Sequence, residues 1–139
     1  MGNKYIKLRD KHQKEVNDFP IFFAFSKEQL QKGLDKWNIT KDDLITIGMG
    51  GFIQDKDKNK YFDLIKRHWE EDKESRKSDE YVYQMFRYEL GNHEYCITYD
   101  YTETLEALGL EFKDLDKRMI KILLKAKEDY LNSVNLNEI

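Results

Sequence analysis

Apolar residues return every three or four positions along most of this chain, and that period commits most of its length to amphipathic helices. Tyr5, Leu8, His12, Val16 and Phe19 form one stripe, which predicts a helix over 4–18 that Pro20 ends. Ser26-Lys-Glu-Gln29 has the spacing of a capping box and opens a helix over 27–37, with Leu30, Leu34 and Trp37 inward. A third helix is expected over 59–76, with Tyr61, Leu64, Ile65, His68 and Trp69 on its apolar face. Ser78 or Asp79 caps a fourth, with Val82, Met85, Phe86 and Leu90 inward, and Gly91-Asn92 predicts a left-handed stop. Asp100-Tyr-Thr-Glu103 caps a short helix that Gly109 closes. The last helix runs over 115–131, with Leu115, Met119, Ile122, Leu123, Ala126 and Tyr130 inward and a tail that frays beyond Asn132.

Three stretches break the period. Residues 21–25 are too apolar for a surface loop and predict a short buried strand or a packed extended link. Residues 44–48 and 51–54 are rich in β-branched residues and predict a hairpin around Gly48-Met-Gly-Gly51. No Lys-Ser or Lys-Thr follows those glycines, so they read as a turn with positive φ rather than a phosphate cradle. Residues 93–99 alternate weakly and predict a third strand. The fold class that follows is α+β, mainly helical, with five or six helices around a small two- or three-stranded sheet. Residues 1–139 fit a single domain with a core of its own. One cysteine forms no internal disulfide, which fits a reducing cytoplasm. The longest apolar run, residues 19–25, is far too short to span a bilayer, and the amino terminus has no apolar signal segment.

Charge is distributed unevenly. Residues 79–112 hold eight acids against the single base Arg87, whereas residues 1–36 carry a net charge of +3. A field of one sign steers partners of the opposite sign and repels nucleic acid. Asp79, Glu80, Glu89, Asp100, Glu103, Glu106 and Glu111 are therefore the candidate contacts to a protein with a basic surface. Tyrosines interleave with these acids, which suits a protein interface better than a base-stacking one.

His12 and His68 fall on apolar helix faces, and His93 lies in the dense segment Glu89-Leu-Gly-Asn-His-Glu-Tyr-Cys96. Three imidazoles with Glu94 or Cys96 as a fourth donor would satisfy tetrahedral Zn²⁺. The competing reading has each histidine bonded to a carboxylate or carbonyl within the core. Asp100, Glu103 and Glu94 would also suit a hard cation, although the loop spacing of an EF-hand is missing. A small metal-dependent hydrolase with Glu94 as base is the enzymatic alternative.

Lys11-His-Gln-Lys-Glu-Val-Asn-Asp-Phe-Pro-Ile-Phe-Phe-Ala-Phe-Ser26, Gly48-Met-Gly-Gly-Phe52, Met85-Phe-Arg-Tyr-Glu-Leu-Gly-Asn-His-Glu-Tyr95 and Thr104-Leu-Glu-Ala-Leu-Gly109 together carry a resemblance over about residues 5–125. The chain resembles a family of short, uncharacterised proteins of Firmicutes phages and mobile elements. His12, His68, His93 and Glu94 match positions of that family's pattern. The resemblance supplies no catalytic residues. It implies a non-enzymatic inhibitor of host defence, an anti-CRISPR protein that meets a basic surface of a Cas9-type nuclease in the host cytoplasm; the zinc ion that His12, His68 and His93 suggest would brace its fold. A mobile-element accessory protein without inhibitory activity is the alternative under the same resemblance.

Overall fold

The computed structural model describes residues 2–93, 95 and 99–138, with side chains described as far as Val134. The expected helical periods become α1 (Lys4–Asp18), α2 (Lys27–Trp37), α3 (Lys58–Ser75), α4 (Asp79–Asn92), α5 (Thr102–Ala107) and α6 (Lys117–Glu138). Three strands, β1 (Phe22–Phe23), β2 (Leu44–Gly48) and β3 (Gly51–Gln54), make one antiparallel sheet in the order β1-β3-β2. The fold is thus α+β and mainly helical. Among the described residues no helix is long and apolar enough to cross a membrane.

The chain divides into two compact units, residues 10–71 and residues 1–9 with 72–139. In the first, Phe22 and Phe52 face each other across the β1–β3 register, their rings stacked with centroids 5.4 Å apart. Trp37 of α2 meets Phe22 edge-on at 4.8 Å. Gly33 makes this possible, because a Cβ there would lie 2.3 Å from Phe22 Cε2. Ser26 Oγ accepts from Gln29 N at 3.1 Å, and Gln29 Oε1 accepts from Phe25 N at 2.7 Å, so the cap works in both directions. The hairpin turns at Gly48, Met49 and Gly50, all with positive φ. Phe23 and Phe25 depart from the buried expectation and are 58% and 75% exposed. Of the two expectations for residues 21–25, a short strand or an extended link, the strand forms, as β1; of residues 93–99, where another strand was expected, 94 and 96–98 lie outside the described residues.

In the second unit α4 packs along α6 and against α5. Val82, Met85, Phe86 and Leu90 are fully buried from α4, and Leu123 and Ala126 answer them from α6. This is the inward set expected from the helical period. Arg118 fastens the link between α3 and α4 to α6, bonding Asp79 and the carbonyls of Arg76 and Lys77. Gly91 and Asn92 do not form a left-handed stop: α4 runs through both, and the capping residue His93 has φ −106°. Gly109, at φ +71°, does take the left-handed conformation after α5. The last helix continues past Asn132 to Glu138 instead of fraying there.

Candidate functional site

His12 and His68 come together. Each heads an identical local pattern, His12-x-x-Glu15 on α1 and His68-x-x-Glu71 on α3, which places imidazole and carboxylate about one turn apart on one helix face. The two rings stack, with centroids 3.9 Å apart and planes 17° from parallel. Each enclosed Nε2 faces the other helix's carboxylate, His12 at 3.7 Å from Glu71 and His68 at 3.5 Å from Glu15. Arg67 holds both carboxylates at once, and Lys11 adds a 2.9 Å contact to Glu71. The Lys11 ammonium, with Arg67, draws the Glu71 carboxyl down to about 2. The Arg67 guanidinium lowers Glu15. Burial, then the neighbouring His12 ring, pushes His68 below the ordinary imidazole value.

This geometry bears on the expected zinc site. An imidazole lone pair lies in the ring plane, so two stacked, nearly parallel rings direct their lone pairs side by side and not at one ion. Both nearby carboxylates are already engaged by Arg67. Among the described residues no group of three or more His, Cys, Asp or Glu side chains is arranged to hold a metal. His93 belongs to the other unit, and Glu94 and Cys96 lie outside the described residues.

His93 sits in a carboxylate network of its own. Glu89, only 3% exposed, accepts from Tyr5 Oη at 2.9 Å and stands 3.1 Å from His93 Nε2. His93 Nδ1 faces Glu103 at 3.8 Å. Burial, and then the negative charge of Glu89, raises the Tyr5 hydroxyl well above its ordinary value, so it stays a donor. Glu89 was expected among the partner-facing acids. It is a core group instead, because its turn of α4 faces inward between Val82, Phe86 and Leu90.

The remaining acids of residues 79–112 divide by their partners. Asp79 pairs with Arg118, and Glu80 with Lys4 at 3.1 Å. Glu103 is 74% exposed beside His93. Asp100, Glu106 and Glu111 line one open cleft of about 410 Å³, together with the aromatic rings of Tyr99, Tyr101 and Phe112. Asp100 accepts from Thr102 N at 2.9 Å and Thr102 Oγ1 at 2.7 Å, and these bonds lower its carboxyl. Glu111 caps the turn Phe112–Asp114 and meets the exposed Lys113 at 2.9 Å. Tyr95 stacks on Tyr101 at 4.8 Å and braces that wall from behind. Tyr99 is held at φ +53°, a conformation bulky side chains rarely adopt, and is 67% exposed.

Sequence reasoning missed Glu15, Arg67, Glu71 and Tyr5. The repeated His-x-x-Glu spacing was the available signal for Glu15 and Glu71, and it did not point to Arg67. No signal pointed to Tyr5 beyond its place in the first apolar stripe.

No curated protein and no solved structure matches the chain. One family's sequence pattern does match, over residues 4–132. The chain belongs to that family, DUF7659, a family of unknown function.

Proposed function

We propose that this is a non-enzymatic binding protein whose cleft at residues 99–112 takes a cationic segment of another protein. The supporting observation is the lining itself, with Asp100, Glu106 and Glu111 set among the rings of Tyr99, Tyr101 and Phe112. Carboxylates grip a guanidinium in a fork, and aromatic faces attract the same cation, so arginine side chains fit this chemistry best. The strained Tyr99 supports the reading, because backbone strain of order 1–3 kcal/mol concentrates at functional sites. The resemblance to short mobile-element proteins makes a host nuclease of the Cas9 type the first partner to test, since such enzymes hold nucleic acid in basic channels. A zinc ion has no part in this reading.

The test is cleavage by such a nuclease with and without the protein, alongside calorimetry with an oligo-arginine peptide. Wild type is expected to bind the peptide and slow cleavage, and Glu106→Lys to lose both. Peptide binding without inhibition would keep the cleft and discard the nuclease. Equal peptide binding by wild type and Glu106→Lys would discard the cleft.

A second reading has its own observation. Glu89 orients the His93 imidazole much as a buried carboxylate orients a general base. On this reading the protein is a hydrolase, and His93→Gln abolishes an activity that Glu106→Lys leaves intact.

A further inference from the structure

We propose that the exposed face of α3 is a second docking surface, one that seats in an apolar groove bordered by carboxylates on another protein. Phe62, Ile65 and Trp69 are 50%, 38% and 60% exposed. They stand three and four positions apart, so they form one stripe along the helix. Anchors at this spacing are how an amphipathic helix lodges in a groove, and tryptophan is among the residues that dominate such contacts. The stripe is distinct from the inward face, where Leu64 and His68 lie.

Charge selects the occupant. Lys58 and Lys66 are exposed and lie a turn before and a turn after Phe62, at the border of the stripe. The acids Asp63 and Glu70 lie about a third of the way round the helix from it. The rim of the partner's groove must therefore be negative where the lysines arrive. A second copy of this chain fits poorly. In parallel pairing Lys58 and Lys66 each meet their own copy. In antiparallel pairing, with Phe62 opposite Trp69, Lys66 falls opposite the apolar Ile65 and Lys58 opposite Lys73, so the lysines meet an apolar side chain or a like charge. A lipid surface also fits poorly, because α3 carries five Lys/Arg and five Asp/Glu and offers an anionic sheet of headgroups no net attraction. A protein groove with carboxylates placed at two points uses only the lysines at the border. This surface is of opposite character to the acidic cleft and does not depend on it.

The experiment replaces Ile65 with photoreactive p-benzoylphenylalanine, in cells that naturally carry the chain, and maps the adduct by mass spectrometry. The expected adduct lies in an apolar groove of a different protein, beside Asp or Glu side chains. Its yield falls about tenfold or more with Trp69→Glu and falls again with Lys58→Glu/Lys66→Glu, while Glu106→Lys leaves it unchanged. Far-UV circular dichroism confirms that each variant is folded, as expected for changes at exposed positions. An adduct to a second copy or to lipid, an adduct indifferent to the lysine reversals, or no adduct from folded protein overturns the proposal.

Discussion

At the scale of single residues, the least replaceable group is Glu89. It is a carboxylate enclosed in the core, satisfied by Tyr5 from one side and His93 from the other. Removing one partner of a buried charged network strands the others, at a cost of roughly 3–5 kcal/mol. Glu89→Ala is expected to lose about that much in urea denaturation, and Tyr5→Phe about 1–3 kcal/mol through the lost donor. Tyr99 should behave in the opposite way. Tyr99→Asn relieves a positive φ worth about 1–2 kcal/mol, so the fold should melt no lower while oligo-arginine binding weakens. His68 sets a pH dependence. Its folded imidazole holds a proton less tightly than the unfolded one, so the unfolded chain binds more protons just below the ordinary value of 6.5. Stability therefore falls as pH drops through that window. Glu15 and Glu71 add a loss of the same sign below 4.5, extending for Glu71 towards about 2. His68→Gln should remove the upper part of the decline in a series of melts and leave the lower part.

At the scale of elements, Gly33 and the hairpin carry opposing expectations. Ala is worth about 1 kcal/mol more than Gly inside a helix, but a methyl at Gly33 would sit 2.3 Å from Phe22 Cε2. Moving that ring costs about 1–3 kcal/mol, so Gly33→Ala is expected to lower the melting temperature. Met49 stands at φ +55° in the turn and is 91% exposed, so Met49→Asn should raise it slightly.

Elements were the most legible level of this sequence. The stripe from Tyr5 to Phe19, the caps at Ser26 and Ser78, and the glycine-marked hairpin each rest on local chemistry, and all appear in the structure. Periodicity says which residues share a face but not where a neighbour ends. Ile65 and Trp69 lie on the edge of the apolar arc of α3 and stay exposed for that reason, and Phe23 in the two-residue strand β1 and Phe25 just after it are exposed as well. Gly91 shows the same limit from the other side. Packing of α4 against α6 carries the helix past a residue that locally favours a stop. The site was less legible. Nothing in the spacing of His12 and His68 tells that α1 and α3 bring them face to face, and the third histidine belongs to a different network.

At the scale of the whole molecule, the charge excess of residues 79–112 does not form one uninterrupted acidic face. Glu89 is taken into the core, and Asp79 and Glu80 are held by Arg118 and Lys4. Among the described residues, what remains for a partner is concentrated in the cleft and beside it, at Glu103. Exposed pairs such as Glu111 with Lys113 are worth about 0–1 kcal/mol, so an incoming cation displaces Lys113 at little cost. Affinity should then fall with salt, because the contacts are charged and open to solvent. The central claim, that carboxylates and aromatic rings together make this cleft a cation site, meets its most direct test in calorimetric titration of oligo-arginine into wild type, Glu106→Lys and Phe112→Ala. The account predicts binding to wild type that weakens with added salt, about tenfold weaker binding to Phe112→Ala, and none to Glu106→Lys. Equal heats from all three proteins would contradict it.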